Sequence, residues 1–207
     1  MRIIAITGAT GGLAEEIVKQ LPSDDFVIAL GRNVEKLEAC YAERPNTVCY
    51  KLDMSSDEAI GAMVEKLYAK HGHIDVFINN AGYGDFSEFD AYTTAEIRDM
   101  FDINTFATMT FSRLVGHKMK KSGHGHIVNI ASIAGLIASA KSSVYSATKF
   151  AVIGFSNALR LELADSNVYV TTINPGPIAT SFFDKADPSG EYLKSVGRFV
   201  LQPEEVA

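Results

Sequence analysis

Six short apolar runs recur along the chain, at Ile3–Thr7, Phe26–Leu30, Val48–Leu52, Val76–Asn79, His126–Ile130 and Tyr169–Ile173. They read as near-continuously apolar, not alternating, which is what a strand covered on both faces needs. Between them lie segments of helical length and period: Leu13–Leu21, Val34–Glu43, Asp57–Lys70, Ala95–Lys121 and Val144–Ala164. Ser55 with Glu58 and Thr93 with Glu96 have the spacing of capping boxes and predict two helix starts. The regular alternation predicts an α/β fold, a doubly wound parallel sheet with right-handed crossovers. No repeat, low-complexity tract or linker interrupts it, so residues 1–207 read as one domain.

Bulk properties narrow the function classes. The chain has 207 residues, 47% hydrophobic and 21% charged, the balance of one compact soluble domain. A net charge of −6 without a Lys/Arg-rich run argues against a nucleic-acid partner. No apolar stretch approaches the roughly 20 residues of a membrane span, so no membrane partner is expected. Cys40 and Cys49 lack metal-ligand spacing and read as reduced, buried thiols of a cytoplasmic protein. The five histidines also lack a metal-site pattern, so no metal is expected. Met1-Arg2 runs straight into a strand with no signal-peptide pattern. At the other end, Gln202–Ala207 opens a helix with Pro203 and two acids and then stops, which predicts a shortened or incompletely represented chain.

The first strand leads into Thr7-Gly8-Ala9-Thr10-Gly11-Gly12-Leu13-Ala14 and then a helix. A dinucleotide pyrophosphate needs backbone amides at a helix N-terminus with no Cβ in the way. Gly8, Gly11 and Gly12 supply that access, with Thr10 and Leu13 completing the turn, and the strand–turn–helix context makes the sheet Rossmann-like, a three-layer sandwich. A glycine turn without a ligand is the competing reading. The second strand ends at Gly31-Arg32, where an NAD-preferring fold usually carries an acid for the ribose 2′-hydroxyl. Arg32 can instead fork onto a 2′-phosphate, so NADP(H) is favoured over NAD(H); otherwise Arg32 is simply solvated at a helix start. Asp53, at the end of the third strand, is placed to accept from the adenine amino group or to serve only a turn.

Val144-Tyr145-Ser146-Ala147-Thr148-Lys149 puts a phenol and an ammonium on one helical face. A free tyrosine has a pKa near 10, and a nearby ammonium favours its phenolate. Such a pair can give or take a hydroxyl proton while hydride moves. Ser132, at a strand end, is placed to hold the substrate oxygen near Tyr145.

With Asn79-Asn80-Ala81-Gly82, Asn104 and Asn174-Pro175-Gly176 in the same order, the chain resembles the short-chain dehydrogenase/reductase family, in its compact single-domain branch. The resemblance implies Tyr145 as general acid/base, Lys149 lowering its pKa and bonding the nicotinamide ribose, and Ser132 orienting substrate. It implies that Asn104 anchors a water in a proton relay to Lys149. Asn80 would meet the cofactor ribose, and Pro175, Gly176, Ile178 and Thr180 would line the nicotinamide end. Asn79 reads better as a bond between strand ends. Two departures stand out: Ala14 replaces the last glycine of the family turn, and the family's further helix and edge strand are expected to be lacking.

Substrate choice falls to Tyr83–Phe89, Gly135–Ser143 and Ser181–Val196, where Phe86, Leu136, Ile137, Phe182 and Phe183 suggest an apolar pocket for a carbonyl or alcohol compound lacking strong anionic groups. Residues 181–196 are expected to form a mobile lid. The apolar excess of two helices, including Met100, Phe101, Phe106, Met109, Phe111, Phe150, Ile153 and Phe155, suggests a homodimer or homotetramer, or else core stripes. The function expected is an NADPH-dependent oxidoreductase. The alternative is a non-catalytic NADP(H)-sensing or regulatory protein.

Overall fold

A computed structural model describes residues 1–207. Six parallel strands form one sheet in the order β3-β2-β1-β4-β5-β6. They are β1 (Ile3–Thr7), β2 (Phe26–Gly31), β3 (Thr47–Lys51), β4 (Val76–Asn79), β5 (Gly125–Ile130) and β6 (Val168–Ile173). The helices are α1 (Gly12–Gln20), α2 (Val34–Cys40), α3 (Asp57–His71), α4 (Thr94–Phe101), α5 (Ala107–Ser122), α6 (Ser143–Glu162), α7 (Phe182–Ala186), α8 (Glu191–Val196) and α9 (Pro203–Val206). The strand order reverses between β1 and β4, where a crevice opens at the carboxyl ends of the strands.

Period-two alternation within β1 divides the core. Ile3 and Ala5 pack with Leu67 of α3 and Phe111 and Val115 of α5, while Ile4 and Ile6 face Ala14 and Val18 of α1 and Leu37 of α2. β1, buried at all five positions, is therefore apolar on both sides, whereas the edge strands β3 and β6 are only partly covered. A polar thread crosses the first of these faces. Asn79 Nδ2 donates to Ser112 Oγ at 3.1 Å and to Asn129 Oδ1 at 2.8 Å, and Asn129 donates to Ser156 Oγ at 2.8 Å. This ties β4 and β5 to α5 and α6, the strand-end role expected of Asn79.

The sequence reading needs correction at three places. The helix expected over Ala95–Lys121 is interrupted by a π turn at Asp102–Phe106, where the Ala107 amide reaches back to Asp102 O. Thr93 and Glu96 do form a reciprocal capping box. At α3, however, Ser56 is the cap, accepting from the Ala59 amide at 3.1 Å, while Ser55 is held by Asp53. Cys40 is exposed at the end of α2 and Cys49 is half-buried, so neither is a core thiol. No helix is long and apolar enough to cross a membrane.

Candidate active site

One cavity of about 530 Å³ runs along the carboxyl ends of the strands. Its floor at one end is the turn from β1 into α1. Gly8 holds φ +63°, and a Cβ there would lie 2.7 Å from Ala81 Cα, so this approach of two loops requires glycine. Gly11 caps α1 with no side-chain bond, which leaves the amides at the start of the helix facing the cavity without acceptors. Ala14 lies buried beneath them, so its methyl is in the core and not in the cavity. A Cβ on Gly12 would approach Thr180 Cγ2 to 3.1 Å. The turn therefore has the amides, the bare floor and the positive helix end that an anionic diphosphate needs.

Gly8, Thr10, Gly11, Gly12, Leu13, Arg32, Asn80, Ser132, Tyr145, Lys149, Pro175, Gly176, Ile178 and Thr180 all line this cavity. Asn80 donates through Nδ2 to the carbonyls of Thr7 and Gly8 at 3.0 and 3.2 Å, bracing the glycine turn. Asp53 and Asn104 are outside the lining. The exposed Asp53 carboxylate accepts from the amide and hydroxyl of Ser55 at 3.0 and 2.7 Å, which makes it a turn residue here. Leu136 and Ile137 also lie outside, 51% and 70% exposed, against the expectation that they help wall the pocket. Lys36 is a contributor missed in the sequence. It lies one helical turn beyond Arg32, its amide donating to the Asn33 cap at 2.8 Å, and both cations face the same end of the cavity. An i, i+4 spacing from Arg32 is its only sequence signal.

At the other end, α6 buries Tyr145 and Lys149 on its inner face. Burial pushes the Tyr145 phenol up to about 12, while a hydrogen bond from Ser132 pulls the other way. Burial lowers the Lys149 ammonium to about 8. Lys149 Nζ donates to Ile130 O at 2.9 Å and stands 5.8 Å from the centre of the Tyr145 ring. Ser132 also accepts from the Ala134 amide at 3.1 Å, which fixes its rotamer at the strand end. Asn104, placed by the π turn, clamps Tyr83 and donates to Thr148 Oγ1 at 3.1 Å. A Cβ on Gly82 would sit 3.1 Å from Asn104 Oδ1 and 3.5 Å from Lys149 Nζ, so the bare glycine leaves a gap between the two.

A doubly wound parallel sheet with a glycine turn and a buried phenol–ammonium pair in its crevice defines an α/β protein of the Rossmann-like class. A family profile described as short chain dehydrogenase matches residues 2–190. Human retinol dehydrogenase 8 is 32% identical over 193 residues, covering 89% of this chain, and the chain spans 61% of that relative's length. Serine dehydrogenase in its closed form complexed with NADP+ superposes with a TM-score of 0.90 at 34% identity, over 99% of this chain and 85% of that one. ElxO with NADP bound gives 0.88 at 28% identity, over 99% and 88%. The chain belongs to the short-chain dehydrogenase family of oxidoreductases.

Proposed function

We propose that the protein is an NADP(H)-dependent carbonyl reductase, or the reverse alcohol dehydrogenase, with Tyr145 as its acid/base. The observation that carries this reading is the gathering of Tyr145, Ser132 and Lys149 with the glycine turn in one cavity. The amides of Gly12 and Leu13 would hold the pyrophosphate, Tyr145 and Lys149 the nicotinamide ribose, and Pro175 to Thr180 the carboxamide end. Arg32 and Lys36 favour NADPH, because a 2′-phosphate between two cations is neutralised where NADH would leave them unmatched. Two similar solved structures hold NADP, which agrees.

When bound, the dinucleotide supplies or takes the hydride. The chain supplies the proton. A phenol held near 12 stays protonated at neutral pH and can donate to the carbonyl oxygen of a substrate, while Ser132 donates a second hydrogen bond to that oxygen. Lys149, still charged below about 8, stabilises the resulting phenolate. A water in the gap beside Gly82, bonded by Asn104 Oδ1 and Lys149 Nζ, returns the proton from solvent. Residues 181–196 act as the lid over this end. Phe106 and Phe150, 50% and 46% exposed on helical segments, are the surface on which a homodimer or homotetramer would assemble.

The test is NADPH absorbance loss against ketones, aldehydes and quinones, with Tyr145→Phe alongside. Turnover is expected to fall by more than ~100-fold in the variant with NADPH binding kept. Tight NADPH binding without turnover across the panel would favour a cofactor-sensing protein instead.

A further inference from the structure

The substrate end of the cavity is aromatic. The ring of Tyr145 lies between Phe86 and Phe182, each 5.7 Å away between centroids. Behind Phe86 stands Tyr192 of α8, edge-on at 4.8 Å, and Tyr192 is stacked on Phe183 at 5.8 Å with 20° between the ring planes. This wall needs Gly84, since a Cβ there would lie 2.7 Å from Phe182 Cζ. Asp99 and Lys185, which line this end, both engage Tyr83. Tyr83 donates its hydroxyl to Asp99 at 2.5 Å, and Lys185 Nζ sits 3.7 Å over the same tyrosine ring. Neither is left as a lone charge for an ionic substrate.

Tyr192 differs from its neighbours. It is half-buried, it lines the cavity, and its hydroxyl has no hydrogen-bond partner in the protein, burial being the single influence on its ionisation. Its place is fixed from below. The buried carboxylate of Asp187 accepts from the Leu193 amide at 3.2 Å and from Ser189 Oγ at 2.8 Å, which ties the start of α8 to the end of α7. A phenol held by packing on two rings, with no acceptor in the protein itself, can donate to an acceptor that arrives with a ligand. Phe86 packs against both Tyr145 and Tyr192, and all three line the same cavity.

We propose that Tyr192 is a specificity-determining residue: its hydroxyl donates to an oxygen at the far end of an uncharged, ring-bearing ketone whose carbonyl meets Tyr145 and Ser132. This rests on the reductase reading for the carbonyl end, and on the aromatic wall alone for the far end.

A matched pair of ketones separates the two. 6-Methoxy-1-tetralone and 6-ethyl-1-tetralone have nearly the same shape, but only the first carries a distal acceptor. Their affinities for the NADP+-saturated protein are measured by calorimetry, and NADPH consumption with each is measured in parallel. The wild type is expected to bind the methoxy ketone roughly three- to tenfold tighter, the worth of one neutral hydrogen bond. Tyr192→Phe keeps the ring packing and should bring the ratio to one by weakening the methoxy ketone alone, with NADPH affinity unchanged. A ratio near one in the wild type, the same ratio in Tyr192→Phe, or no binding of either ketone overturns the proposal. Preferential binding with no NADPH consumption on any carbonyl would defeat the reductase reading and leave the Tyr192 contact standing.

Discussion

Asn104 holds both backbone polar groups of Tyr83. The Tyr83 amide donates to Asn104 Oδ1 at 2.9 Å, and Asn104 Nδ2 donates to Tyr83 O at 2.8 Å. The carboxamide thus acts as a clamp on the loop after β4, the loop that carries Gly82, Gly84 and Phe86. Its remaining acceptor capacity faces Lys149 across the Gly82 gap.

Filling that gap is the direct test of the proton route. Gly82→Ala would put a methyl 3.1 Å from Asn104 Oδ1, where the bridging water belongs. Turnover should drop roughly tenfold while NADPH affinity changes little, because the backbone at Gly82 needs no left-handed φ and the methyl presses on Asn104, not on the glycine turn. Unchanged turnover would place the proton path elsewhere.

Cofactor choice should follow the paired cations. Replacing Arg32 and Lys36 together by Ala should weaken NADPH binding by ~10–100-fold and leave NADH binding nearly unchanged. Equal losses for both cofactors, read by fluorescence titration, would mean that these side chains act on something other than the 2′-phosphate.

Lys149 sets an alkaline limit. Its folded pKa of about 8 lies below the ordinary 10.5, so the ammonium carries a burial penalty below about 8 that is released as pH climbs toward 10.5. Its contribution to stability therefore rises over that interval. Activity should move the opposite way, since kcat/KM for NADPH reports the free enzyme and needs the cation. We expect that parameter to fall above about pH 8, and a profile flat up to 10.5 would rule out the charged form as the working one.

Two glycines should respond with opposite signs. Gly8→Ala forces a methyl against Ala81 Cα at 2.7 Å with φ +63°, and should cost about 1–3 kcal/mol along with NADPH binding. Gly61 sits in α3 with nothing within 4 Å of its Cβ position, so Gly61→Ala should stabilise by about 0.5–1 kcal/mol. Thermal melts of the two variants give the comparison.

The strands were legible because burial on both faces leaves an unbroken apolar record, as in Ile3 to Ile6, and the glycine turn was legible because it bridges a strand and a helix. Ser132, Asn80 and Gly176 were legible because they follow strand ends, where chain order fixes position, and Tyr145 and Lys149 because their spacing puts them on one face of α6. Lys36 was not, because a lysine on a short helix is ordinary until Arg32 is seen beside it. Tyr192 depends on how α7 and α8 fold back over Phe86, a packing decision with no local signature. Leu136 and Ile137 misled because apolar character was taken for burial, whereas both point to solvent. Ser55 and Ser56 are both candidates for one cap; Ser55 is bonded to Asp53 and Ser56 holds the cap.

The π turn at Asp102–Phe106 sets a phase between two stretches of helix. Met100 points inward from α4, and Phe111, Val115 and Met119 point inward from α5. A surplus residue between them rotates one stripe relative to the other by roughly 100°, the advance of a single helical position. A deletion there would straighten the rod and force a choice: keep the core stripe of α5 or keep the grip on Tyr83. The stretch is thus less free to change length than its surface-like sequence suggests, and single-residue indels within it should be far harder to accommodate than substitutions.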